Sequence, residues 1–213
     1  MAVIPDGNRR FSVKYKMPML KAYGVGYEKI LDFTDFCIEN KVKKMIIWSL
    51  SAENFKRKSI EKLLKFEEQK IKDIVTDERI HKNEIRVEVL STEMNKLPKS
   101  MKETIKMVYD ATNDYTKYCL KLLLGYSAQN EIIQMMAKPL PKKIKDVVNY
   151  LLITDKPDLV IRTGLESRTS GFLPLQTAYS EWYHVNCLWP EIQRENFEEA
   201  FDWYHQQKRN FGN

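Results

Sequence analysis

Asp6-Gly7-Asn8-Arg9-Arg10 places an acid, a glycine, an amide and two guanidinium groups within one short run. A glycine after a strand lets backbone N–H groups approach a phosphate, and a following helix N-terminus adds a positive dipole. Arg10 or Arg9 can grip phosphate oxygens with a planar fork. Asp6 fits such an anion site only with a cation between, and magnesium usually takes one or two carboxylates plus substrate phosphates. A plain turn accounts for the same residues, because Asp-Gly and Asn are turn formers.

Two further runs carry similar chemistry. Ser51-Ala52-Glu53-Asn54-Phe55-Lys56-Arg57 offers a hydroxyl, an amide and two cations around an aromatic ring, or else a solvated strand-to-helix loop. The stretch 158–174 holds Arg162, Arg168 and Ser170 around Gly164. Two arginines and a hydroxyl around a glycine make a diphosphate clamp. Glu181 follows in an aromatic setting with Tyr179, Trp182 and Tyr183. It is either a buried carboxylate paired with one of the arginines or a metal-site residue.

Positioning these residues takes a sheet. Residues 2–5, 44–50, 85–90, 118–124 and 159–162 read as strands, from β-branched and aromatic content or alternation. Residues 26–40, 59–79, 96–116, 131–137, 142–152 and 197–208 read as helices, with apolar residues near helical spacing. Strands alternating with helices imply an α/β fold with a mostly parallel central sheet flanked by helices. Ligands of open parallel sheets sit outside the carboxyl ends of the strands. Asp6, residues 51–54, Gly125, Tyr126 and Arg162 all fall there, so one rim can gather them.

The 213 residues suit a single domain, 1–213, with a substantial core. A hydrophobic fraction of 43% excludes a disordered chain. No apolar run approaches the roughly 20 residues that cross a bilayer, and the first five residues make no leader, so a cytoplasmic protein is expected. Cys37, Cys119 and Cys187 have neither zinc-site nor redox spacing and read as core residues. The net charge of +6 fits nucleic acid, an acidic membrane surface or a phosphorylated metabolite. Nucleic-acid binding needs cations clustered with stacking aromatics. Here Lys41, Lys43, Lys44, Lys70, Lys72, Lys142, Lys143 and Lys145 are spread along helices and strand ends, and Asp6 and Glu181 argue the other way.

Taken together the words resemble the cis-prenyltransferases, the family of undecaprenyl diphosphate synthase. Pro5-Asp6-Gly7-Asn8-Arg9-Arg10-Phe11 matches the family pattern M-D-G-N-x-R-W, and Leu50-Ser51-Ala52-Glu53-Asn54-Phe55-Lys56-Arg57 matches F-S-x-E-N-W-x-R. Residues 158–170 match D-L-x-I-R-T-G-G-E-x-R-x-S, and the likeness runs on through Gln176, Tyr179, Glu181 and Leu188-Trp189-Pro190 to Gly212. The resemblance implies a single-domain enzyme with a hydrophobic tunnel that joins an allylic diphosphate to isopentenyl diphosphate and makes a Z double bond. It implies Mg2+ held by Asp6 and Glu181. Gly7, Asn8, Arg9, Arg10 and Phe11 would bind the allylic diphosphate, with Arg57 in support. Arg162, Arg168 and Ser170 would bind isopentenyl diphosphate, and Asn54 with Ser51 would assist proton removal. Trp48, Leu50, Ile60, Leu63, Leu64, Ile71, Ile74 and Val75 would wall the tunnel, and bulky Trp48 with Glu67 and Glu68 points to a short product. A homodimer is implied, as is peripheral membrane association through a lipid product.

The sequence departs from the family on the allylic side. Met19 and Tyr23 stand where the family has arginine and histidine, Leu165 replaces a glycine, and Gly125-Tyr126-Ser127-Ala128-Gln129 lacks the arginine of N-Y-G-G-R. Three readings stay open: a regular synthase with another allylic preference, an irregular condensation with dimethylallyl diphosphate in the second site, or a non-catalytic partner subunit.

Overall fold

The structure, a computed structural model, describes residues 1–137, 139 and 141–208, with the backbone alone at 144 and 145. The Arg209 to Gly212 run, which resembles the family's tail, lies outside the described residues. Six strands form one sheet in the order β3-β4-β2-β1-β5-β6. They are β1 (Ala2–Ile4), β2 (Lys44–Ser51), β3 (Ile85–Leu90), β4 (Tyr118–Tyr126), β5 (Leu159–Thr163) and β6 (Glu181–Val185), and every pairing is parallel. Buried Ala2, Val3 and Ile4 of β1 pair with β2 on one side and β5 on the other. The chain steps outward from β1 to β2, then returns across it to β5. That reversal opens the crevice in which ligands of such sheets bind.

Alternation along the strands divides the core. On one face, Val3, Met45, Ile47 and Val87 pack under α2 (Met19–Glu39), α3 (Ile60–Asp73), α5 (Lys99–Thr112) and α7 (Arg194–Gln206). On the other, Ala2, Ile4, Ile46 and Val160 pack with Phe172, Leu173 and Ile153. α1 (Asn8–Lys14), α4 (Glu78–Lys82) and α6 (Ala128–Met136) complete the elements. No helix among the described residues is long and apolar enough to cross a membrane.

Several elements differ from the sequence reading. α2 begins at Met19 rather than 26, running through Gly24 and Gly26. Gly26 is a packing glycine: a Cβ there would lie 2.1 Å from Asn8 Oδ1. The helix expected over 59–79 breaks at Asp77, whose carboxylate accepts from the Arg79 N–H at 2.9 Å and starts α4. Residues 144–150 form a 3-10 helix. β6 was hidden because its burial does not alternate and it lies on the sheet edge.

Gly7 joins β1 to α1 with φ +126°. Its ideal Cβ would lie 2.8 Å from Leu188 Cα, so an alanine meets both a strained backbone and fixed neighbouring backbone. Gly7→Ala is expected to destabilise the fold by about 1–3 kcal/mol. Urea denaturation checks this as a lower midpoint at unchanged slope.

Candidate active site

The carboxyl ends of β1, β2 and β5 surround an open cavity of about 430 Å³. Five arginines line it (Arg9, Arg10, Arg57, Arg162 and Arg168) against two carboxylates, Asp6 and Glu166. The excess positive charge and the open mouth suit a polyanion. The sequence thus places its three words as expected: Asp6 to Arg10, Ser51 with Asn54 and Arg57, and Arg162 with Arg168 and Ser170 share one wall.

Asp6 is the hub. Its Oδ1 lies 3.2 Å from Arg10 Nη2 and its Oδ2 3.1 Å from Arg162 Nη2. Its backbone carbonyl accepts from the Trp189 N–H and the Thr163 hydroxyl, both at 2.9 Å, which fixes the turn independently of the side chain. Arg10 Nη1 donates to Glu166 Oε1 at 2.9 Å. Close approach of Arg10 is possible because Gly164, at φ +101°, has no side chain: a Cβ there would sit 2.8 Å from Arg10 Nη2.

Arg162 is 2% exposed and holds the loop after β5. Its Nη1 donates to Ser170 Oγ at 3.0 Å and to the Arg168 carbonyl. Ser170 has φ +52°, a conformation side chains resist, so the arginine stabilises a strained loop at the cavity wall. Arg168 instead reaches outward, 67% exposed. Across the mouth, Asn54 Nδ2 donates to Ser51 Oγ. Asn8 donates to the Pro5 carbonyl at 3.3 Å while its Oδ1 is buried without a partner.

Two predicted site residues lie elsewhere. Phe11 points away from the cavity and packs on Tyr15, ring centroids 4.5 Å apart. Glu181 opens β6 opposite Leu159, at the amino end of β5, whereas Asp6 follows the carboxyl end of β1. Within one chain it is therefore at the other edge of the sheet from Asp6. Gly125 and Tyr126 also stay out of the mouth: Gly125 packs under Phe55, and Tyr126 is buried and donates to Glu131 at 2.7 Å. Glu166 was missed, although its position between Arg162 and Arg168 in one word could have marked it. Tyr23 lines the mouth beside Arg57; burial pushes its hydroxyl up, against the pull of that cation.

Beside the mouth, Tyr23, Tyr27, Ser49, Phe66 and Glu67 line a small cavity that shares Tyr23 and Ser49 with the mouth and shares Tyr27, Ser49 and Glu67 with a narrow apolar channel between α2, α3 and the sheet. The channel is walled by Ile30, Leu31, Ile71, Ile74, Ile80, Leu120, Leu122 and Leu124. Of the predicted wall residues, Ile71 and Ile74 line it. Ile60, Leu63, Leu64 and Val75 pack in the core instead. Trp48 and Leu50 both reach the mouth rather than the channel, but from opposite faces of the sheet, Trp48 stacked on Phe172, because the β2–β4 register slips between them.

Residues 4–212 match the family model described as "Putative undecaprenyl diphosphate synthase". The chain belongs to the undecaprenyl diphosphate synthase family. It is a prenyltransferase of the cis type. A Picrophilus torridus protein named tritrans,polycis-undecaprenyl-diphosphate synthase (geranylgeranyl-diphosphate specific) is 36% identical, spanning 100% of this chain and 89% of its own length. A Pyrococcus horikoshii protein of the same name is 32% identical over 100% of this chain and 86% of its own. The solved lavandulyl diphosphate synthase from Lavandula x intermedia, in complex with dimethylallyl diphosphate, superposes with TM-score 0.89 at 21% identity, covering 100% of this chain and 97% of that one. At that identity the likeness establishes the shared fold: one α/β domain with a parallel sheet.

The donor set of the mouth fits a divalent cation. Asp6 faces the cavity with 35% of its side chain exposed, and no cluster of three or more metal-ligating side chains converges among the described residues. One carboxylate completed by substrate phosphates is how magnesium is usually held.

Proposed function

We propose that this prenyltransferase joins an allylic prenyl diphosphate to isopentenyl diphosphate, with magnesium, to give a (Z)-prenyl diphosphate of short to medium chain. The observation that carries this reading is the five-arginine mouth around Asp6, with an apolar channel beyond the neck at Ser49. A diphosphate head and a hydrocarbon tail match the two halves. The names of the archaeal relatives support geranylgeranyl diphosphate as the first allylic donor to try.

In this mechanism Gly7, Asn8, Arg9 and Arg10 cradle the allylic diphosphate, supported by Arg57. Arg162, Arg168 and Ser170 hold isopentenyl diphosphate. Magnesium at Asp6, when bound, supplies charge neutralisation for the departing diphosphate. The allylic C–O bond breaks to release diphosphate, the isopentenyl double bond attacks the allylic carbon, and the adjacent isopentenyl carbon gives up a proton to the released diphosphate, with the Asn54–Ser51 pair orienting that transfer. Holding two anions apart while their carbons meet is chiefly an orientation effect. Pre-aimed arginines meet charge as it builds, without reorganisation. Within one chain the metal falls to Asp6 and not Glu181. The reading includes a homodimer, which sedimentation equilibrium checks.

Incubation with isopentenyl diphosphate and a panel of allylic diphosphates, with and without a magnesium chelator, tests the proposal. Magnesium-dependent prenyl products of Z geometry are expected. No product from any pair refutes it. An irregular condensation, with dimethylallyl diphosphate in the Arg162 half, is the second reading. It is favoured by the uncharged phenol of Tyr23 on the mouth wall. Bond connectivity in the products separates the two.

A further inference from the structure

Four charged side chains line the channel, Glu67, Lys70, Asp77 and Arg79; Lys70 pairs with Asp73 and Asp77 with Arg79, whereas Glu67 has no ion pair among the described residues. It lines both the small cavity and the channel, so any tail passing from the mouth inward must pass its carboxyl. The Ser49 hydroxyl donates to Glu67 Oε2 at 2.8 Å. Ser49 follows Met45 and Ile47 onto the helix-covered face by the ordinary alternation of a strand, and the register shift after Trp48 brings Leu50 to that face beside it.

We propose that Glu67, held by Ser49, is the specificity-determining residue of the channel, a polar neck that prenyl tails pass readily only when its carboxyl is protonated. The residue thereby limits product length and makes that length fall as pH rises. The inference rests on the prenyl-transfer reading above and deepens it.

The surroundings agree with this role. Burial pushes the Glu67 carboxyl up to about 7, with the Ser49 hydroxyl pulling the other way. The neutral form therefore dominates below that pH and the carboxylate above it. From α2, the neighbouring titratable groups are the phenols of Tyr23 and Tyr27. From α3, Lys70 lies over the Tyr27 ring at 4.6 Å and pairs with Asp73 at 3.5 Å. At the far end Asp77 pairs with Arg79 at 2.9 Å. Near the mouth Arg57 and Arg9 act on Tyr23. From the sheet, β4 presents only Leu120, Leu122 and Leu124. None of the nearby cations pairs with Glu67 among the contacts of the described residues, so nothing compensates its charge when a hydrocarbon displaces water. An apolar tail at the neck favours the neutral acid, and by linkage tail binding takes up a proton.

The test measures product length after dephosphorylation, one pH unit below and one above the value of about 7 to which burial pushes Glu67. Wild type should give products longer by one or more isoprene units at the lower pH. Glu67→Gln, close to isosteric and never charged, should give the longer set at both. Glu67→Leu should do the same. Binding of a non-reacting long-tailed allylic diphosphate analogue near neutral pH should take up a proton in wild type and none in Glu67→Gln. If lengths in wild type and Glu67→Gln are the same and shift together with pH, the inference is overturned while prenyl transfer stands. If wild type forms no prenyl product at either pH, the parent reading falls and this inference with it.

Discussion

Asp6→Asn is expected to lower kcat for prenyl transfer by about 10²–10³-fold, the scale of removing one pre-aimed charge-stabilising group. The substitution keeps the shape of the side chain and removes its charge. The turn should survive, because the Asp6 backbone carbonyl, not its side chain, accepts from Trp189 and Thr163. What is lost is the one carboxylate facing the mouth from β1, and with it the group to which the proposed mechanism assigns magnesium. An amide also cannot balance the two arginines that Asp6 now holds, Arg10 at 3.2 Å and Arg162 at 3.1 Å. The variant should therefore need more magnesium for half-maximal rate. Steady-state rates across a magnesium series, beside a circular-dichroism melt, give both readouts. A wild-type rate at wild-type magnesium demand would remove Asp6 from the reaction.

The second large effect is expected at Arg162. Arg162→Lys retains the positive charge and loses the planar fork. A lysine cannot serve Asp6 Oδ2, Ser170 Oγ and the Arg168 carbonyl together in the geometry that the guanidinium uses. The side chain is 2% exposed, so water cannot replace the lost partners. Asp6 is 35% exposed, which screens part of that loss. The stability cost should be about 1–3 kcal/mol, in the range for hydrogen bonds to charged groups. The loop at Ser170, strained at φ +52°, should relax. The kcat/KM for isopentenyl diphosphate should then fall by about 10²-fold, since a misplaced substrate group can cost that much. Arg168→Lys is the control. It makes the same chemical change at 67% exposure and should cost less than about 1 kcal/mol of stability. Equal losses in the two variants would contradict the assignment of Arg162 as the loop's anchor.

Burial explains why the two arginines differ, and the sequence did not carry that distinction. Arg162 and Arg168 read alike in the motif. Arg162 lies on β5, between β1 and the edge strand β6, whereas Arg168 lies on the loop beyond. The same holds for the acids. Glu166 lies within the arginine word and Glu181 follows it, yet of the two only Glu166 reaches the mouth. Register decides this: Glu181 pairs with Leu159, the first residue of β5, while Arg162 pairs with His184. A motif conveys order and spacing along the chain, not which end of a strand a residue occupies. The strand β6 was invisible in the sequence, so the reversal of Glu181 was invisible with it.

Local chemistry was legible where one residue type has one strong preference. Buried strands such as β2 and β4 followed from β-branched and leucine-rich runs. The glycine at position 7 followed from the turn between β1 and α1, where φ is +126°. The glycine at 26 misled, because its reason is the Asn8 and Trp189 side chains packed against it from distant parts of the chain.

By itself, then, the sequence determined a parallel α/β domain and the three words that build a diphosphate mouth, because strand content, glycine turns and arginine forks are local properties. Tertiary structure decided the rest. Pairing of β1 with β5 brought Asp6 against Arg162, and packing of α3 on the sheet brought the Glu67 carboxyl to the Ser49 hydroxyl. Both depend on long-range packing of the two sheet faces, which also sets strand register, and not on any segment alone.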